Sequence, residues 1–349
     1  MLLEGIFPAM TTPFYPDGRC YFRKLEHNVA RYSRTPVAGM VVLGSTGEAP
    51  MLSDDETREV LKTAADAAAP EKVLLAGIAR ESFTETMRLA EFAADALYDA
   101  VLVRTPYYYG PQMGAAEILT YYQTLADRSP LPVVLYNIPR FTHYDLSVEL
   151  TSELAQHPNI IGIKDSTGSV ERIAALAKAT AQVKKRTVDV TPVFTAVTAR
   201  MLKAAAVETP NLVPLTALGG AVQVAEAPPK MRTRTKEVGF QVLTGAAHTL
   251  LGSLDAGATG AVLALAACIP QACQELYWAW KDNDRKLADE KQNRLLEPSA
   301  VVASKYGVSG IKYGCDLNGY YGGRTRIPLL PVNGDAQEEI ARVIQDIRN

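Results

Sequence analysis

The sequence of 349 residues predicts an α/β protein folded as a (β/α)₈ TIM barrel, with an insertion between the sixth and seventh strands and a C-terminal helical appendage. Three observations lead there. Short apolar runs recur eight times along the chain. The first six start at intervals of roughly thirty residues, the length of one βα unit in a barrel of ~250 residues. Helical patterns fill the gaps, which is the alternation of a parallel α/β protein.

The runs are Gly5–Met10, Gly39–Leu43, Val73–Gly77, Ala100–Val103, Val133–Tyr136, Ile160–Lys164, Phe240–Leu243 and Ala261–Leu265. Most are unbroken stretches of Val, Ile, Leu, Ala and Gly, as expected of parallel strands buried on both faces. After the second run, Ser53 followed by Glu56 makes a capping box, and Val60, Leu61 and Ala64 recur at helical spacing. Further helices are predicted at Leu89–Ala96, Ala116–Ala126 and Ile173–Ala181. A doubly wound open sheet would alternate in the same way but does not require eight strands, so the count favours the barrel.

The rhythm breaks once. Between the sixth and seventh runs lies an insertion of roughly fifty residues, within 184–238. It holds a helical pattern at Val197–Val207 and a basic stretch at Lys230–Lys236. A surface subdomain, a lid over the barrel mouth and an oligomer contact all fit it. The barrel is assigned to residues 1–268, including this insertion. Residues 269–349 are assigned to a C-terminal helical region with helices at Gln271–Asn293, Leu296–Tyr306 and Ala336–Ile347.

Composition narrows the function. With 48% hydrophobic residues and a net charge of −2, the chain reads as a globular protein whose partner is a small molecule, not nucleic acid. The four cysteines show no CxxC spacing and the four histidines no HxxH or HExxH spacing, so neither a disulfide framework nor a metal site is signalled. Met1 leads within a few residues into an apparent strand, so no secretory signal is expected, and the longest apolar stretch, Ala261–Ile269, is far short of the ~20 residues that cross a bilayer. A cytoplasmic protein without membrane contact is expected.

Barrel enzymes work at the C-terminal ends of their strands. Four of those ends carry reactive side chains: Gly44-Ser45-Thr46-Gly47-Glu48, Thr105-Pro106-Tyr107-Tyr108-Tyr109-Gly110, Tyr136-Asn137-Ile138-Pro139 and Lys164-Asp165. Lys164 continues the run Ile160–Ile163. A lysine in an apolar interior is pushed toward the free amine that attacks a ketone. Tyr136, ending the neighbouring strand, is placed to move protons beside it. Ser45 and Thr46, between two glycines, are placed to donate to a carboxylate. Each also has a structural reading. Lys164 would pair with Asp165, Tyr136 would plug the barrel top, the tyrosine triplet would form a rim, and the glycine segment would be a tight turn. His143 and His248 receive no role.

Taken together, Gly5-Ile6-Phe7-Pro8, Thr11-Thr12-Pro13-Phe14 and these loop segments resemble the dihydrodipicolinate synthase/N-acetylneuraminate lyase family, in family order and over nearly the whole chain outside the insertion. The resemblance implies a class I aldolase in which Lys164 forms a Schiff base with pyruvate and Tyr136 serves as acid and base. It implies that Ser45 and Thr46, with Gly47 beside them, bind the pyruvyl carboxylate, and that Ser45 joins a proton relay. It further implies that Tyr108 enters that relay in a neighbouring subunit, making the protein a homodimer or homotetramer, and that no metal or organic cofactor is needed. Dihydrodipicolinate synthases carry an arginine two residues after the proline of their YNxP motif, where this chain has Phe141, with Arg140 one residue earlier. Gln156–Ile160, Phe240–Leu243, Leu296-Glu297-Pro298 and Tyr320–Gly323 look closest to 4-hydroxy-2-oxoglutarate aldolases. The substrate expectation is therefore a 2-keto acid of that kind. Pyruvate with aspartate semialdehyde, a dehydratase using the same imine, and a non-catalytic keto-acid-binding relative are the alternatives.

Overall fold

The computed structural model describes residues 1–207 and 232–347. The first residues of the basic stretch Lys230–Lys236 lie outside them. Eight parallel strands make the barrel. These are β1 (Gly5–Pro8), β2 (Gly39–Val42), β3 (Val73–Gly77), β4 (Ala100–Arg104), β5 (Val133–Asn137), β6 (Ile160–Asp165), β9 (Gln241–Thr244) and β10 (Gly260–Leu263), with β7 (Arg186–Val190) and β8 (Arg234–Val238) standing apart. The order β1-β10-β9-β6-β5-β4-β3-β2 closes between β1 and β2, where Ala38 N–H donates to Ile6 O and Met10 N–H to Val41 O, each at 3.0 Å.

Alternate side chains on each strand divide into two sets, as a pleat demands. Phe7, Val41, Leu75, Leu102, Val134, Leu243 and Val262 fill the barrel interior. Ile6, Met40, Val42, Leu74, Ala76, Leu135, Val242 and Leu263 pack outward against the helices. One strand breaks this parity. Val133 pairs with Ile160 but Val134 pairs with Gly162, so Ile161 is an extra residue in β6. Ile160 and Ile163, an odd number of positions apart, both pack outward. A one-residue bulge reverses the facing of everything after it. Here it turns Lys164 inward, in register with Tyr136.

The predicted helices are present at Asp54–Ala67, Phe83–Asp95, Ala115–Arg128 and Val170–Ala179. The capping box is formed by Glu56 N–H to Ser53 Oγ at 3.2 Å and Ser53 N–H to Glu56 Oε2 at 3.0 Å. Helix Pro270–Lys281 packs on β1 and completes the ring. The stretch predicted as one helix from Gln271 breaks at Asn283, whose φ of 59° is left-handed, and restarts as Arg285–Pro298. A wider turn, Ser299–Lys305, follows, then helices Gly307–Leu317 and Gly334–Ile344.

The described parts of the insertion lie at the end of the barrel where strands begin. Its antiparallel ribbon β7–β8 is tied down by Arg186, which donates to Ile161 O at 3.1 Å and Gly239 O at 2.9 Å. Its helix Ala199–Val207 is anchored by Arg200, which donates to Leu97 O at 2.7 Å and ion-pairs with buried Asp99 at 3.5 Å. Over the described residues the insertion is therefore not a lid over the catalytic mouth. It leaves the barrel after a helix, and chain leaving a helix returns to the N-terminal face of the strands.

Candidate active site

Lys164 and Tyr136 project from neighbouring strands into the C-terminal half of the barrel, only 4% and 5% exposed. The Lys164 Nζ lies 4.0 Å from the centroid of the Tyr136 ring, resting on its π face. The Tyr136 phenol lies 3.3 Å from the Ser45 hydroxyl, the geometry of a long hydrogen bond that either oxygen can donate. These groups border one cavity of about 430 Å³, together with Thr46.

The residues flanking the two site strands are structural. Asn137, immediately after Tyr136, donates to Asp145 Oδ1 and Asp165 Oδ2, both at 2.8 Å. Asp165, immediately after Lys164, accepts from Arg172 Nε at 2.7 Å and Thr167 N at 3.0 Å. Asp165 therefore does not pair with its lysine neighbour; the pleat sends the two side chains to opposite faces. This buried network ties the loops after β5 and β6 to each other and fixes the strand ends from which Tyr136 and Lys164 project.

Ser45 and Thr46 stand on a short 3₁₀ turn between two non-glycine residues in the left-handed region, Leu43 at φ 61° and Glu48 at φ 56°. Such conformations persist only where surroundings over-determine them. Gly47 lies within the turn, and its N–H is taken by Gly44 O at 3.0 Å. Its carbonyl accepts from Thr12 Oγ1 at 2.6 Å, and a Cβ at this position would come 3.1 Å from Met10 O. Gly47 thus shapes the turn and does not border the cavity.

Tyr108 stands outside the cavity of its own chain, 72% exposed, with its ring edge-on to Tyr109. Glu81 holds the loop by accepting from the Tyr107 and Tyr108 N–H groups at 3.1 Å.

Further residues complete the wall, of which Ser299, Ala303 and Ser304 carried no signal in the sequence. Arg140 and Phe141 both border the cavity from one helical turn, Pro139–Thr142. His248 sits at the rim above Gly168, whose φ of 79° and missing side chain make room; a Cβ there would meet the imidazole at 3.2 Å. Ser299, Ala303 and Ser304 close the cavity from the C-terminal region. Among the described residues the walls hold the Arg140 guanidinium and no carboxylate, a balance that favours an anionic ligand.

Comparison with known proteins gives a consistent result. The chain matches the dihydrodipicolinate synthetase family over residues 2–188 and 197–347. It is 29% identical over 331 residues to the 4-hydroxy-tetrahydrodipicolinate synthase of Acidiphilium cryptum, covering 95% of this chain and 94% of that one. The enzyme of the same name from Haloarcula marismortui is 37% identical over 177 residues, 51% of this chain and 57% of that one. Among solved structures, E. coli K12 YagE, a prophage protein of the dihydrodipicolinic acid synthase family crystallised with pyruvate, superimposes with a TM-score of 0.78 at 26% identity, covering 99% of both chains. No helix of the described residues is long and apolar enough to cross a membrane.

Proposed function

This chain belongs to the dihydrodipicolinate synthetase family, a family of class I carbon–carbon lyases, and from that premise we propose that it cleaves or forms a 2-keto acid through a Schiff base on Lys164, with pyruvate as one component. The observation that carries this reading is the convergence of the Lys164 amine, the Tyr136 phenol and the Ser45 hydroxyl on one cavity wall.

The chemistry follows from that arrangement. The neutral Nζ of Lys164 attacks the keto carbon; the carbonyl oxygen receives one proton from the attacking nitrogen and a second from the acid, and leaves as water, giving an iminium. Tyr136, bonded to Ser45, supplies and recovers the protons of these steps. In the cleavage direction the hydroxyl on the carbon beyond the breaking bond loses its proton, and an aldehyde departs. The bond electrons collapse into the iminium as an enamine, which is protonated at carbon and hydrolysed to pyruvate and free lysine. Ser45 and Thr46 hold the carboxylate, whose charge suits a cavity with no acidic residue among those described.

For the second component, the Arg140 guanidinium in the wall and the likeness of several segments to 4-hydroxy-2-oxoglutarate aldolases favour a keto acid with a second carboxylate. The names of the relatives favour a second reading, condensation of pyruvate with aspartate semialdehyde. Phe141, in place of the arginine expected there, speaks against it.

The test is to incubate the protein with pyruvate, reduce with borohydride and record the intact mass, with Lys164→Ala as control. A pyruvyl adduct on the wild type alone is expected; a folded wild type that takes none overturns the mechanism. Cleavage of 4-hydroxy-2-oxoglutarate and condensation with aspartate semialdehyde are then assayed side by side. We also assign Tyr108 to the site of a second copy. Light scattering that finds a monomer with full activity overturns that assignment.

A further inference from the structure

The turn that carries Ser45 and Thr46 is held by a charge cluster whose other half lies more than two hundred residues later in the chain. Glu48, 2% exposed, places Oε1 2.5 Å from Lys312 Nζ, and its Oε2 accepts the Arg326 N–H at 2.8 Å. Lys312 is 1% exposed, donates to Arg324 O at 2.7 Å and stands 4.3 Å from the centroid of the Phe14 ring. The Arg326 guanidinium also packs on Phe14, at 4.4 Å. It donates to Gly18 O at 2.8 Å, to Met51 O at 2.7 Å and to the Glu56 carboxylate.

A lysine and a glutamate this deeply buried need each other, because either charge alone in an apolar setting is costly. Both oxygens of Glu48 are committed, one to each partner, so its side chain cannot turn without losing a charge-assisted contact. The backbone it anchors is left-handed, a conformation a glutamate leaves readily when nothing holds it. Ser45, whose hydroxyl meets Tyr136, stands on the same short turn three residues before that anchor. At 3.3 Å the contact is already long for two hydroxyls, so a displacement of a few tenths of an ångström decides whether it exists.

We propose that Glu48 and Lys312 are positioning residues for the reaction, and that through their ion pair the C-terminal helix Gly307–Leu317 sets the Ser45 and Thr46 hydroxyls against Tyr136 and the substrate carboxylate. The proposal rests on the reading of Lys164 as the imine-forming residue. It gives the C-terminal region a part in catalysis beyond closing the cavity wall.

The experiment compares wild type, Glu48→Gln and Lys312→Met. Timed borohydride trapping with pyruvate gives the rate of imine formation and the half-saturating pyruvate concentration, and near-UV circular dichroism reports folding. Glu48→Gln keeps the size of the side chain and an oxygen for the Arg326 N–H. It leaves Lys312 free to shed its proton, which burial already favours. This variant therefore decides the matter even where Lys312→Met does not fold. Folded variants are expected to trap pyruvate about tenfold or more slowly, with half-saturation raised, as misplaced catalytic groups require. A folded Glu48→Gln that traps at the wild-type rate and half-saturation overturns the proposal. A wild type that takes no adduct instead overturns the reading beneath it.

Discussion

The Ser45 hydroxyl meets the Tyr136 phenol at 3.3 Å across 91 positions of sequence, bringing the turn after β2 to the end of β5. The contact gives the phenol a partner through which a proton can move, and it carries the first prediction. Tyr136→Phe removes that proton and should lower kcat by about 10²–10⁴-fold, the usual value of a positioned acid or base. Ser45→Ala should cost less, because a water in the vacated space can partner the phenol. Steady-state cleavage assays check both, and a Tyr136→Phe enzyme within tenfold of wild-type kcat sinks the proton-transfer role.

Arg140 is predicted to govern the choice of substrate and not the imine chemistry. It borders the cavity beside Phe141, in a wall that has no carboxylate among the described residues. Arg140→Ala should raise KM for a keto acid bearing a second carboxylate by about tenfold to a hundredfold, the loss of one charge-assisted contact. Pyruvate trapping should be nearly unchanged. An equal loss on both substrates would show that Arg140 acts on something other than the distal carboxylate.

Gly162 is predicted to be a strict packing requirement of the lysine strand. A Cβ there would come 2.4 Å from Gln241 O, backbone of the adjacent strand, so Gly162→Ala must pry β6 from β9. The expected loss is about 1–3 kcal/mol in urea unfolding. Gly110→Ala, where no atom lies within 4 Å of the new carbon, is the control and should change stability by about 0.5 kcal/mol or less. Equal behaviour of the two variants would contradict the packing account.

The Glu56–Arg326 pair predicts a specific acid sensitivity. The Arg326 guanidinium, the largest influence on it, holds the Glu56 carboxyl down from 4.5 to about 2. Between those values the unfolded chain binds the proton that the folded chain refuses, so stability rises with pH across the window. The stabilisation is complete above 4.5 and is lost as pH falls toward about 2. Urea midpoints measured over this range should show a steeper slope for wild type than for Glu56→Gln; parallel curves would remove the pair from the account of acid stability.

Much of the barrel was legible because its local signals agree with one another. Runs such as Val73–Gly77 and Val133–Tyr136 are unbroken because both faces of a barrel strand are buried, so the composition of the strand announces the architecture. The capping box at Ser53 marks its helix for an equally local reason. The helix Gly307–Leu317 left no such mark. Gly307, Gly310 and Gly314 weaken its local preference, and it is close packing that asks for two of them: a Cβ on Gly310 would lie 2.5 Å from Val302 O, and one on Gly314 would lie 3.1 Å from Cys268. The side of the barrel that the insertion occupies was readable in principle, because the insertion follows a helix.

By itself the sequence determined the kind of fold and the reactive groups on offer, since burial pattern and residue type are local properties of the chain. It could not determine how those groups face. Lys164 points inward because Ile161 is an extra residue against β5, and that count exists only once two strands are paired. The Ser45 turn is held by Lys312 and Arg326, and the cavity is closed by Ser299 and Ser304, all contributed by chain more than two hundred residues away. Facing and distance are properties of pairs of segments, so only the tertiary structure decides them.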